Sequence, residues 1–211
     1  MSTTMPPQPS AMQPIAYHPT PTIYESLPGG IVRAWDIASK LLEDERTIFL
    51  RGVFDDAMAQ SIVQQLMYLK SKDSKRDITI YINSPGGQVT SGLAIYDAMQ
   101  AMPCDVSTVV MGIAASMGSF ILMAGAKGKR FAMPNAEVMT HQPSGGYQGQ
   151  ATDIGIAAEH ILRTKKRMTE LYVRHCGGTL EDWAEMMERD RFHSAEEALK
   201  WGLVDQIVAA K

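Results

Sequence analysis

The chain has 211 residues, 45% hydrophobic and 20% charged, enough to bury one core of ordinary domain size. A formal net charge of −3 argues against a polyanion-binding surface, and no apolar run approaches the roughly twenty residues that span a bilayer. The two cysteines, Cys104 and Cys176, form no disulfide framework and lack metal-ligand spacing, a usage that fits a reducing compartment.

Residues 1–22 hold six of the eleven prolines, with Ser, Thr, Gln and Met between them. Such a segment buries too little apolar surface to fold and is expected to be a disordered extension. It has no hydrophobic h-region, and no Lys or Arg precedes Arg33, which argues against a secretory signal and a mitochondrial transit peptide. From Trp35 strand and helix patterns alternate. Helices are expected over 36–42, 55–69 and 88–102, the second with Met58, Ile62, Leu66 and Leu69 on one face. Strands are expected over 47–50, 78–82 and 105–111, followed by a buried helix over 118–126 and a strand over 137–140. A long helix over 151–176, shorter ones over 180–187 and 195–201, and a last strand over 203–208 complete the pattern. Repeated strand–helix units imply right-handed crossovers and an α/β fold with a mainly parallel sheet. The fifteen methionines read as adaptable packing.

Several places carry possible chemistry. Ser116, in Gly112-Ile113-Ala114-Ala115-Ser116, falls at the turn between the expected strand over 105–111 and the expected helix over 118–126. A serine at a sharp strand-to-helix turn faces a cleft, and the unpaired N–H groups of the helix start beside it can stabilise an oxyanion. Such a nucleophile needs a base and a group to orient that base. His141, in Thr140-His141-Gln142-Pro143, and Asp190, in a mixed charge run, are candidates, but spacing alone does not select them. The ordinary reading of a lone histidine is structural, and His18, His160, His175 and His193 keep it. Cys176 beside His175 reads as the end of a long helix before Gly177-Gly178 rather than as a nucleophile. Ser84-Pro85-Gly86-Gly87 reads either as a tight turn or as a backbone approach to a substrate, and it lacks the P-loop residues for phosphate. Pro143-Ser144-Gly145-Gly146-Tyr147-Gln148-Gly149-Gln150 reads as a glycine-rich loop.

These motifs, taken in order, resemble a known family. Met111 to Phe120, Met139 to Pro143, Tyr147 to Asp153, Asp190-Arg191-Phe192 with Ser194-Ala195-Glu196-Glu197-Ala198, and Tyr81-Ile82-Asn83-Ser84-Pro85-Gly86-Gly87 resemble the Clp protease proteolytic subunit. The likeness runs from about Trp35 to Val208. It implies a crotonase-like α/β fold with repeated β-β-α-type units, in which 151–176 projects as a handle between two stacked seven-membered rings. It implies Ser116 as nucleophile, His141 as general base, Asp190 as orienting carboxylate, and the backbone N–H groups of Gly87 and Met117 as the oxyanion hole. Substrate would lie along Gly86 and Gly87 on one side and Gly145 and Gly146 on the other, with 143–150 forming a strand that borders the groove. Arg189 resembles the position that couples ring contact to triad alignment. The family implies no metal or organic cofactor, no nucleic-acid or membrane partner, a cytoplasmic setting, unfolded polypeptide substrates and an AAA+ Clp unfoldase. Its rings hold copies of one chain or a mixture with a paralogue. Residues 1–22 would include a self-cleaved propeptide, 23–34 the axial segment and 35–211 the peptidase domain. Three departures stand out: Leu27-Pro28-Gly29-Gly30 in place of a charged turn, and Thr79 and Ala101 where aromatics commonly line the unfoldase pocket, Tyr81 being kept. Two other readings remain, a catalytically weak or structural paralogue in a mixed ring and a crotonase-type acyl-CoA enzyme.

Overall fold

The computed structural model describes residues 21–209. The expectation for the proline-rich extension falls almost wholly outside them, while Thr22 opens the first strand. β1 (Thr22–Leu27) and β2 (Ile31–Asp36) form an antiparallel hairpin, Leu27 opposite Ile31, that sequence periodicity did not anticipate. Its turn is closed by Gly29 and Gly30, both at positive φ, a conformation that glycine adopts without a Cβ clash. Asp36 then caps α1 (Ile37–Glu45) by accepting a hydrogen bond from the Ser39 N–H.

Parallel strands and crossover helices build the body. β3 (Thr47–Phe54) pairs in parallel with β4 (Ile78–Gly87), and β4 with β5 (Val106–Ala115). α2 (Asp56–Lys72) is capped by Asp55 and buries Ala59, Ile62, Leu66 and Leu69, the face its spacing predicts. α3 (Val89–Gln100) buries Ile95, Tyr96 and Met99. Along β4 every second residue, Ile78, Ile80, Ile82, Ser84 and Gly86, is buried, the period-two alternation of a strand. These side chains pack with Ile48, Leu50 and Phe54 of β3 and with α2 and α3 into one core. Each fully buried aliphatic or aromatic side chain contributes about 1.5–3 kcal/mol.

Both central strands run further than periodicity suggested. β4 continues through Ser84-Pro85-Gly86-Gly87, because Val53 and Phe54 of β3 still pair with Gly86 and Gly87 beyond a register shift. The turn-like glycines are therefore strand residues, and α3 starts after them. β5 passes Gly112, at φ +82 over the Asn83 side chain, and changes neighbours there. Before the bend it pairs with β6 (Arg130–Ala132); after it Ile113, Ala114 and Ala115 pair with β7 (Glu137–Thr140). α4 (Met117–Met123) follows directly and is buried at every residue.

α5 (Ala151–Cys176) buries only Met168, Thr169 and Tyr172, all in its last third, so its first turns leave the body as the family likeness implied. Segment 143–150 carries no strand in the single chain, where none of the described strands pairs with it; the family likeness expects its ladder from the opposite ring. α6 (Leu180–Met186) and α7 (Ala195–Lys200) each start with a capping box, at Thr179 and Ser194. Between them lies β8 (Arg191–His193), too short to read from the sequence, which pairs antiparallel with β7. The expected last strand shortens to β9 (Gln206–Ile207) on β6, while Leu203 and Val204 are buried in the turn before it. That turn is held by Arg130 and Asp205, a mostly buried bidentate pair with Nε–Oδ2 at 2.8 Å and Nη2–Oδ1 at 2.5 Å. No helix among the described residues is long and apolar enough to cross a membrane.

Candidate active site

Ser116 lies just past the C-terminal end of β5, between β4 and β7, where its N–H donates to the Met139 carbonyl of β7 at 2.9 Å. Its φ of 54° and ψ of −117° lie outside the regions open to most residues with a Cβ. Such local strain persists only when surrounding structure holds it. Here the Ser116 carbonyl accepts from the Phe120 N–H at 3.1 Å and from the Ser119 hydroxyl at 2.7 Å.

His141 directly follows β7. Its Nε2 lies 2.8 Å from Ser116 Oγ and its Nδ1 lies 2.8 Å from Asp190 Oδ1. The β7–β8 pairing creates the second contact. Thr140 is opposite Arg191, so the residues just beyond that pair, His141 and Asp190, are brought side by side. Gln142 ties the two segments together, its N–H donating to the Met187 carbonyl at 2.7 Å and its side-chain amide to the Glu188 carbonyl at 3.0 Å. Asp190 is 64% exposed and His141 25% exposed, so the imidazole is the more sheltered member of the pair. With Nδ1–H donated to the carboxylate, Nε2 is free to accept the serine proton, the tautomer that general-base action requires.

The glycines approach the serine closely. A Cβ on Gly86 would stand 2.6 Å from Ser116 Cβ and 3.1 Å from its Oγ, and one on Gly87 would stand 2.4 Å from the Phe54 carbonyl oxygen. Ser84 holds this end of β4: its hydroxyl donates to the Gly52 carbonyl at 2.5 Å and accepts from the Gly86 N–H at 3.1 Å. Met117 is the first residue of α4, so its N–H has no acceptor within the helix. Together these features can lower the barrier to acyl transfer, with a hydroxyl activated by a base and backbone donors beside it.

The remaining predicted residues lie around this centre. Gly145 and Gly146 are exposed and, with Tyr147, Ile156 and Ile161, line a groove against the first half of α5. Arg189 is exposed in a cleft with His141, Gln142, Ser144, Glu188 and Asp190. Thr79 and Tyr81 line a separate surface groove with Val109, Met111, Phe131, Met133 and Val208; Ala101 is exposed at the end of α3, outside it. Cys176 ends α5, and burial pushes its thiol up to about 12, so at neutral pH it is an un-ionised core residue. Two buried hydroxyls, Ser84 and Ser119, escaped the sequence reading. A single serine in the apolar run Met117-Gly118-Ser119-Phe120-Ile121-Leu122-Met123 is the only local sign that α4 carries a hydrogen-bonding duty. Among the described residues no three His, Cys, Asp or Glu side chains are grouped to hold a metal ion.

A family model described as Clp protease matches residues 29–211, nearly all of the chain.

Proposed function

The chain belongs to the Clp protease family, a family of peptidases, and on that premise we propose that it is a serine endopeptidase acting through Ser116, His141 and Asp190. The observation that carries this reading is the continuous hydrogen-bonded line from Ser116 Oγ through the His141 ring to Asp190, with both links at 2.8 Å. His141 Nε2 removes the serine proton as Oγ attacks the peptide carbonyl. Asp190 holds the ring by its Nδ1–H and stabilises the imidazolium that forms. The N–H groups of Gly87 and Met117 receive the developing oxyanion. His141 then protonates the leaving amine, and water releases the acyl group from Ser116 by the same steps in reverse.

The substrate is an extended, unfolded polypeptide lying between the Gly86-Gly87 edge and the Gly145-Gly146 loop. Main-chain hydrogen bonds give such binding little sequence selectivity. No organic or metal cofactor enters these steps. The chain works in the cytoplasm in stacked seven-membered rings, of itself or mixed with a paralogue, and an AAA+ unfoldase feeds the chamber. Fourteen copies of 23.2 kDa make a particle of about 325 kDa, a closed symmetric assembly.

A fluorophosphonate probe should label Ser116, and Ser116→Ala should abolish labelling and lower peptide hydrolysis by about three orders of magnitude. Asp190→Asn should lower kcat by about 10²–10⁴-fold, because the wrong histidine tautomer is then favoured. Labelling that persists in Ser116→Ala would identify a different nucleophile.

A further inference from the structure

A polar arrangement lies beneath the nucleophile. Ser119 and Tyr172 are both almost completely buried in apolar surroundings. Ser119 Oγ lies 2.7 Å from the Ser116 carbonyl oxygen and 2.8 Å from Tyr172 Oη. A carbonyl only accepts, so the Ser119 hydroxyl donates to it. With its one proton used there, Ser119 accepts from Tyr172. Burial holds the Tyr172 phenol well above its ordinary range, so it remains a donor. Its ring is fixed by stacking on Trp183, with centroids 4.9 Å apart, and by an edge contact to Phe120 at 5.8 Å. A directed line therefore runs from Tyr172 on α5 through Ser119 on α4 to the Ser116 carbonyl.

That carbonyl and the Met117 N–H belong to one peptide unit. In a trans peptide the two groups point in opposite directions within one plane, so fixing the carbonyl fixes the amide. Two donors hold this carbonyl, the Phe120 N–H at 3.1 Å and the closer Ser119 hydroxyl at 2.7 Å, against Ser116 dihedrals that lie outside the common basins. Accepting a hydrogen bond at the carbonyl also polarises the amide and strengthens it as a donor.

We propose that Ser119 and Tyr172 are positioning residues that aim the Met117 N–H at the oxyanion, so that the body-anchored end of α5 is hydrogen-bonded to the catalytic peptide. This rests on Met117 acting as an oxyanion donor in the serine-peptidase reading.

The test uses the full chain and the variants Tyr172→Phe, Ser119→Ala and the double variant. Tyr172→Phe keeps the stacked ring and removes one hydroxyl; Ser119→Ala carries the same test if Tyr172→Phe lowers the yield of folded protein. Removing an oxyanion donor outright costs about 10²–10³-fold, and mis-aiming one should cost part of that. Each single variant should therefore lose about five- to tenfold in kcat with KM within about twofold. Affinity for a peptide boronate, which forms a tetrahedral adduct on the serine, should fall in parallel, while affinity for a product peptide should hold. The double variant should be no worse than Ser119→Ala, because Tyr172 acts through Ser119. Unchanged kcat and boronate affinity in both single variants, or losses that multiply in the double variant, would overturn the proposal while leaving the triad reading intact. A wild-type chain that neither cleaves peptide nor reacts with a fluorophosphonate would overturn both.

Discussion

Gly86→Ala places one methyl group where the site has no room for it. The new Cβ would lie 2.6 Å from Ser116 Cβ and 2.8 Å from the Ala115 carbonyl oxygen. Carbon atoms rest about 3.5–4.0 Å apart, so Ser116 or β4 must give way by about 1 Å. The residue's own φ of +93° adds backbone strain of about 1–2 kcal/mol for any side chain. Gly86 is paired with Val53 of β3, while Ser116 lies just past the end of β5 in a strained conformation, so the displacement should fall mainly on the serine. Misplacing a reacting group by about 1 Å costs about 10²-fold in rate. Hydrolysis of a short fluorogenic peptide by Gly86→Ala should fall by about that factor, and fluorophosphonate labelling should slow in step. Thermal unfolding should still show one cooperative transition at a lower midpoint. Full turnover at an unchanged midpoint would refute the steric reasoning and the closeness of β4 to the nucleophile.

Acid should loosen the strand that directly follows Asp190. Burial, with Arg191 nearby, lowers the pKa of His193 from its ordinary 6.5, and burial, with Arg130 nearby, does the same for His175. The unfolded chain thus binds protons first as pH falls through 6.5, so these groups add stability above that pH and lose it as pH drops toward their folded values. The unfolding midpoint should fall between pH 7 and pH 5, and His193→Gln should flatten that fall; a midpoint rising over the same range would contradict the sign. Arg189→Ala should weaken ring–ring association and peptidase activity together, read by native mass and by turnover, and full activity from isolated single rings would remove the coupling. Thr79 and Ala101 are too small to act as aromatic anchors, and losing such an anchor costs on the order of 2 kcal/mol, roughly thirty-fold per site. A particle made of this chain alone should therefore support little ATP-dependent degradation by its cognate unfoldase; efficient degradation without a paralogue would count against that view.

Local chemistry determined the helices early. Asp55 is an N-cap whose carboxylate accepts from the Met58 N–H, Ile62, Leu66 and Leu69 share one helical face, and 151–176 carries a continuous helical pattern, so these elements need no distant partner to be read. The alternation of strands with helices likewise announced a parallel sheet, and the order of short motifs around Ser116, His141 and Asp190 pointed to one family. What the tertiary structure alone decided depends on pairing between segments far apart in the chain. β4 continues through two glycines only because β3 is there to pair with them, and β5 bends at Gly112 only because β7 takes over from β6. β8 has three residues and no periodicity of its own, yet its antiparallel register against β7 is what sets Asp190 beside His141. The contact between Ser119 and Tyr172 joins residues 53 positions apart, and neither has a local pattern that names the other. Burial created that pair: a hydroxyl enclosed by apolar side chains must find a partner, and only the packed fold determines which one is within reach.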